Sequence, residues 1–163
     1  MIFDSALKPK LIYVFRINDE AHLGCLKIGE TTYDGDMSAD YFTPNSKALN
    51  ESAHRRIKQY TATAGIAYEL LYTECTIHKR NGKIVSFNDK EVHNCLLHSN
   101  VQRKEFDTVD HANEWFITNL NTVKLAIAAV KEGRNSLQPG DVTDDTPEPI
   151  VFRPEQRDAI DMT

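Results

Sequence analysis

The chain has only three cysteines, one tryptophan and no long apolar run. Cys25, Cys75 and Cys95 lie far apart and never form the C-x-x-C spacing of zinc or redox sites, so we expect buried free thiols. No segment approaches the roughly 18 apolar residues that span a bilayer. The N-terminal sequence MIFDSALKPK lacks the basic and apolar regions of a signal peptide. These absences predict a cytoplasmic globular protein.

Positive charge is also scarce for a protein that binds nucleic acid, because a phosphate-binding face needs lysine and arginine to displace counterions. The formal net charge is -5, from 24 acidic and 19 basic residues. From position 141 onward there are seven acidic and two basic residues, which leaves 17 of each sign in the first 140 positions. A neutral body permits a local basic groove but does not predict one.

The apolar pattern predicts an α+β domain with a small three-stranded, mainly antiparallel sheet flanked by helices. Strands are indicated over residues 10–17, 25–29 and 66–78, and the first is apolar along its whole length, as in a strand covered on both faces. Apolar spacings of three and four predict helices over residues 46–60 and 121–132. Between them, Asn88 and Glu91 form the capping box of a helix that runs to about Ser99. Residues 30–45 read as a long loop.

Five short motifs follow one another in this predicted order. They are LIY at residues 11–13, KIG at 27–29, RIKQY at 56–60, DKEVHNCLL at 89–97 and EWF at 114–116. The series covers about residues 10–132 and resembles the GIY-YIG endonuclease superfamily, in the branch whose second tripeptide is K-I-G. Leu11 stands where the family has its first glycine, and Lys27 stands where it has its second tyrosine. The lysine leaves the role of the missing phenol open.

The resemblance implies a GIY-YIG-like fold that hydrolyses DNA phosphodiester bonds with Mg²⁺ or Mn²⁺. Such chemistry needs a group that activates water, positive charge beside the phosphate and a hard oxygen ligand for the metal. By resemblance, Tyr13 is the general base, Arg56 the phosphate clamp and Glu91 the metal ligand. Lys27 would add positive charge near the substrate or lower the pKa of Tyr13. The residues expected to bind substrate are Gly29, Thr31 and Tyr60.

Each catalytic candidate also has a purely structural explanation. Tyr13 suits a core tyrosine on an apolar strand face, and Lys27 suits an exposed strand lysine. Glu91 is fully used as a helix cap without any metal. Arg56 falls close to the buried helical stripe at about 100° per residue, whereas Arg55 faces away. An arginine beside a buried stripe needs a cleft, an ion pair or a snorkelling conformation.

The C-terminal part predicts a second functional unit. Residues 1–133 form the predicted nuclease domain, and residues 134–149, rich in Pro, Gly, Asp and Ser, are expected to form a flexible linker. Within residues 150–163, FRPEQRDAI resembles the segment that opens the motor domain of DEAD/DEAH-type helicases, including those of restriction systems.

The resemblance of the tail predicts the N-terminal piece of a longer protein, with DNA and a covalently linked helicase domain as partners. We expect no ATPase activity in this chain, because it has no GxxxxGK[ST] phosphate loop. The alternative is a catalytically weak module of the same fold that binds DNA or a partner protein. A third possibility is an unrelated protein-interaction domain whose candidate residues are all structural.

Overall fold

The structure, a computed structural model, describes residues 8–62, 65–105 and 114–138, except for the side chain of Tyr60. It contains three helices and seven strands within these ranges. In chain order they are β1 (Lys10–Arg16), β2 (Cys25–Thr32), α1 (Lys47–Thr61), β3 (Glu69–Cys75), β4 (Ile77–Arg80), β5 (Lys83–Ser86), α2 (Asp89–His98), β6 (Gln102–Arg103), β7 (Trp115–Ile117) and α3 (Leu120–Lys131). None of the helices in these ranges is long and apolar enough to cross a membrane.

The main sheet is antiparallel and has five strands in the order β3-β1-β2-β7-β6, beside a separate β4-β5 ribbon. The α+β class is confirmed, but the predicted number of three strands is wrong. Strands β6 and β7 contain only two and three residues, too few to show the alternation that identifies a strand. The strand predicted over residues 66–78 also ends at Cys75, and a bend at Thr76 leads into β4.

All three helices lie where the sequence predicts them, because each begins at a polar cap. The side chains of Ser46, Asn88 and Asn119 accept hydrogen bonds from backbone N–H groups in the first turns of α1, α2 and α3. In α2 the capping box is complete, since Glu91 also accepts a hydrogen bond from the backbone N–H of Asn88 at 3.0 Å. Such caps satisfy donors that the helix itself leaves unpaired.

The sheet has a core on each face, as the continuous apolar sequence of β1 predicts. Ile12 and Val14 belong to a buried cluster with α2 and α3. Their neighbours Leu11, Tyr13 and Phe15 belong to a second cluster with α1. Successive strand residues point to opposite faces, so β1 and β2 separate an α1 face from an α2–α3 face. All three cysteines are free and buried, as predicted.

One edge of the sheet is closed by a side chain instead of a strand. Asn45, in the loop before α1, has a left-handed φ of 62°. Its backbone N–H donates to the carbonyl of Thr73 in β3 at 3.0 Å, and its Oδ1 accepts from the N–H of Thr73 at 3.0 Å. These two bonds reproduce the pairing of a neighbouring strand at one residue of the edge.

The first residues of the predicted linker return to the end of α2. The backbone N–H of Leu137 donates to Ser99 Oγ at 2.8 Å, and His98 Nδ1 lies 3.0 Å from the carbonyl oxygen of Asn135. The rest of that linker and the helicase-like segment, residues 139–163, lie outside the described residues.

Candidate functional site

Tyr13 and Gly29 stand directly opposite each other in the β1–β2 pairing. A Cβ atom added to Gly29 would lie 2.6 Å from Tyr13 Oη, 2.7 Å from Cζ and 2.9 Å from Cε1. The tyrosine ring therefore lies across the glycine, and no side chain fits between them. Tyr13 is only 2% exposed and stacks on Phe15, with ring centroids 6.0 Å apart. The sequence motifs LIY and KIG meet at this contact.

Lys27 lies on the same face of the sheet, because it is two residues from Gly29 in β2 and pairs with Phe15. Its side chain is 17% exposed, and its Nζ lies 3.5 Å from Oε1 of Glu114. Burial lowers the pKa of Lys27 below its usual value, although Glu114 opposes this shift, and the positive charge of Arg56 lowers the pKa further. The positive charges of Lys27 and Arg56 are therefore close enough to repel each other.

Arg56 lies on α1, the helix that packs on this face. It is half-buried, and its Nη1 donates to Oε1 of Gln59 at 3.2 Å. Its neighbour Arg55 is exposed and pairs with Asp34 at 3.0 Å. The difference in burial between the two arginines agrees with the predicted helical geometry. The packed face thus carries two cations, Lys27 and Arg56, near the Tyr13–Gly29 contact.

The other two residues predicted to bind substrate are Thr31 and Tyr60, and the structure describes the side chain of Thr31 only. Thr31 is half-buried and pairs with Leu11, so it lies on the same face as Tyr13 and Gly29. Tyr60 lies in the last turn of α1, and its side chain is outside the description. The structure therefore collects Tyr13, Lys27, Gly29, Thr31 and Arg56 on the α1 face.

Glu91 is placed differently from these residues. Its helix, α2, packs on the opposite face of the sheet through Val92, Cys95 and Leu96. Glu91 itself is exposed, and its Oε1 accepts the capping hydrogen bond from Asn88. The structural role that the sequence suggested for Glu91 is thus present, and the fold does not bring its helix onto the face that carries Tyr13.

Another carboxylate of the same helix, Asp89, contacts Glu30, which pairs with Ile12 and so also lies on the α2–α3 face. The backbone N–H of Asp89 donates to Oε1 of Glu30 at 2.8 Å, and Lys10 Nζ lies 3.1 Å from Oε2 of Glu30. Burial and the negative charges of Glu30 and Glu114 raise the pKa of Asp89 to about 7. Asp89 also acts electrostatically on Lys27. It therefore links the acidic start of α2 to the cations of the α1 face.

His93 fastens α2 to β2 beside this pair. It is 5% exposed, and its Nε2 lies 2.8 Å from the carbonyl oxygen of Ile28. Because a carbonyl only accepts hydrogen bonds, Nε2 carries the proton. Burial lowers the pKa of His93, although the bond to Ile28 opposes this shift. His93 is therefore a neutral donor that holds β2 next to Gly29.

Sequence reasoning missed the roles of Asp89, Glu30 and His93. The available signal was the spacing in α2, since Asp89 and His93 are four residues apart and His93 is three residues before the buried Leu96. Residues at these separations share a helix face. The contact with Glu30 has no local signal, because 59 positions separate it from Asp89.

The arrangement offers a limited set of metal ligands. Among the described residues, no three His, Cys, Asp or Glu side chains are grouped so that they could hold a metal ion. Glu30 and Asp89 nevertheless provide two hard carboxylates whose mutual repulsion raises the pKa of one of them. Mg²⁺ commonly binds through one or two carboxylates together with water and substrate phosphate. The pair therefore suits a metal ion of this kind better than a metal ion that needs a complete set of protein ligands.

Comparison with known proteins identifies no relative: no protein-family profile, no curated protein and no solved structure matches this chain.

Proposed function

We propose that the chain is a metal-dependent endonuclease domain of the GIY-YIG type that hydrolyses DNA phosphodiester bonds. The observation that carries the proposal is the direct packing of Tyr13 on Gly29, with Lys27 and Arg56 on the same face. These residues come from three motifs spread over residues 11–60, and the resemblance assigns all of them to one site. The helicase-like FRPEQRDAI segment supports a role as part of a larger DNA-processing or restriction protein.

The chemistry follows from the residues of this face. Tyr13, as the phenolate, accepts the proton of the attacking water and becomes the neutral phenol, and the two cations Lys27 and Arg56 hold the scissile phosphate and offset its growing negative charge. Lys27 supplies this charge only while it is protonated, and burial lowers its pKa. Thr31 and Gly29 line the strand along which the substrate backbone would lie.

In this proposal the metal ligands are Asp89 and Glu30, in place of Glu91. Mg²⁺ or Mn²⁺, when bound, would supply Lewis-acid stabilisation of charge on the phosphoryl oxygens. The proton that the raised pKa favours on Asp89 must leave before this carboxylate can bind a cation. Lys10, 3.1 Å from Glu30, keeps that carboxylate oriented. Glu91 remains the cap of α2 and adds negative charge to its first turn.

A second candidate is a catalytically weak module of the same fold that binds DNA or a partner protein. Two observations favour it. The predicted metal ligand Glu91 is engaged in the capping box, and Tyr13 is almost completely buried. A binding module needs neither a free carboxylate nor an accessible phenol, so cleavage assays are needed to separate the two functions.

The test is cleavage of supercoiled plasmid and branched DNA in Mg²⁺ or Mn²⁺ by the wild-type chain and single variants. We expect Arg56→Ala to lose about 10²- to 10³-fold in rate, the usual cost of removing one electrostatic contact to a developing charge. Arg55→Ala is the matched control, since the adjacent arginine is exposed and paired with Asp34. It should cut at nearly the wild-type rate.

Two carboxylate variants identify the metal ligand. Asp89→Asn should lose cleavage and its metal dependence, whereas Glu91→Gln should retain most of the activity, because an amide oxygen can still accept the hydrogen bond from Asn88. The reverse result would restore Glu91 as the ligand. If the wild type cuts no faster than a Tyr13→Phe, Arg56→Ala, Asp89→Asn triple variant, the nuclease proposal is wrong. Equal DNA binding by both would then support the binding module.

A further inference from the structure

The β4–β5 ribbon carries a strongly basic surface that the proposed catalytic site does not use. Residues 77–86 (IHKRNGKIVS) contain Lys79, Arg80 and Lys83 but no acidic residue. All three are exposed, and none forms an ion pair with any residue in the described ranges. In a domain whose first 140 residues are electrically neutral, this is a local concentration of positive charge.

The register of the ribbon sets like charges against each other. Arg80 pairs directly with Lys83 across the turn, and like charges directly opposite each other destabilise a strand pair. Arg80 has one compensation, because its guanidinium lies against Gly133 at the end of α3, where the helix dipole favours a cation. Lys79 and Lys83 make no comparable contact within the described residues, and both are exposed to a partner.

The ribbon is also closed by a tight turn and attached to the rest of the domain at its base. Asn81 and Gly82 at its turn have φ values of 54° and 79°, the two left-handed conformations of a tight type I′ hairpin. At its base, His78 contacts the carbonyl oxygens of Thr76 and Lys131, both at 3.1 Å. A ribbon held in this way fixes the backbone from which its cations project, which lowers the entropic cost of binding a partner.

The chain leads directly from this ribbon into the acidic start of α2. Strand β5 ends at Ser86, and Asn88 and Asp89 follow as the cap and first residue of the helix. The base of the ribbon is therefore three residues along the chain from Asp89 of the Asp89–Glu30 pair. A regularly spaced polyanion matches this combination of positive ribbon and adjacent site.

We infer that the β4–β5 ribbon is a second nucleic-acid contact, in which Lys79 and Lys83 bind the phosphate backbone of a DNA duplex. The inference deepens the proposed nuclease function and rests on DNA being the substrate. The ribbon positions the duplex and does not take part in bond cleavage, because its cations lie on a separate sheet from Tyr13 and Lys27. Phosphate contacts of this kind fix register and orientation without reading sequence.

The test is the salt dependence of binding to a short fluorescent DNA duplex, measured in EDTA so that cleavage cannot occur. Lys79→Gln with Lys83→Gln removes two phosphate contacts and leaves Arg80 against Gly133. We expect the slope of log K against log salt to become shallower by about 2, and affinity to fall more than about tenfold near 0.1 M salt. Lys79→Arg with Lys83→Arg keeps the charges and should retain the wild-type slope.

The matched control is Lys47→Gln with Lys124→Gln, two exposed lysines on α1 and α3. An unchanged slope in the ribbon pair, or an equal change in the control pair, would overturn the inference. The inference would also be overturned if the ribbon pair lost binding to anionic lipid vesicles while its duplex binding stayed unchanged, because the ribbon would then bind a membrane. A chain that binds duplex through the ribbon but cuts no DNA overturns the proposed nuclease and leaves this inference intact.

Discussion

The contact between Tyr13 and Gly29 makes a sharp prediction for Gly29→Ala. The new methyl carbon would be 2.6 Å from Tyr13 Oη and 2.7 Å from Cζ, far inside the usual contact distance of about 3.5 to 4.0 Å between carbon atoms. The ring cannot simply swing away, because it is 2% exposed and stacked on Phe15. The backbone of β2 cannot yield easily either, since it is paired with β1 at Gly29 and with β7 as far as Lys27.

The expected cost follows from this confinement. One extra carbon in a packed core costs about 1 to 3 kcal/mol, and a loss of about 2 kcal/mol lowers the melting temperature of a chain of this size by about 4 to 8 °C. Urea unfolding followed by far-ultraviolet circular dichroism should show a lower midpoint with an unchanged m-value. Gly24→Ala is the steric control, because a Cβ there meets nothing within 4 Å, and its cost comes only from the left-handed backbone.

A double-mutant cycle isolates the contact itself. Tyr13→Phe removes the oxygen, the nearest of the three clashing atoms, so Gly29→Ala should cost less in that background. The coupling between touching residues is typically about 0.5 to 3 kcal/mol. The reasoning would be refuted if Gly29→Ala unfolded at the wild-type urea concentration, or if its cost were the same with tyrosine and phenylalanine at position 13.

The acidic end of α2 gives two further predictions. The pKa of Asp89 is raised from its unfolded value near 4 to about 7, so the folded state binds the extra proton between these values and stability falls as pH rises through this window. Asp89→Asn should remove this fall in stability. At pH 8 the variant should be more stable than the wild type by about 1 to 2 kcal/mol, a value reduced for solvent screening, and near pH 3 the two should be equally stable. Thermal melts measured across this pH range test the prediction. Asn88→Ala should cost about 1 kcal/mol by deleting the cap, and an unchanged melting temperature would contradict that assignment.

The helices and their caps were accessible from sequence because their signals are local. Asn88 and Glu91 are three positions apart, and the reciprocal bonds between them form within one turn. The apolar stripe of α3 likewise lies within a few turns, and Val123, Ala126 and Ile127 are all buried. Local agreement of capping and apolar periodicity is sufficient to place an element of this kind.

The sheet and the acidic pair depended on contacts that the sequence does not display. Strand β7 has three residues and joins the sheet by pairing with β2, about 90 positions earlier in the chain. Its Trp115 and Phe116 are both buried, and both are held by strand pairing as well as by packing. The sequence indicated Glu91 and not Asp89 as the ligand, because only the fold brings Glu30 next to Asp89.

Asn45 illustrates how a single position can be constrained twice. Its left-handed φ of 62° restricts it to glycine, asparagine or aspartate at little cost, and its acceptor bond from the Thr73 N–H removes glycine from that set. In an evolutionary comparison, position 45 should therefore hold only asparagine or aspartate, even though it lies on the surface. This restriction would record the need to keep β3 from pairing with another copy of the chain, and not a catalytic role.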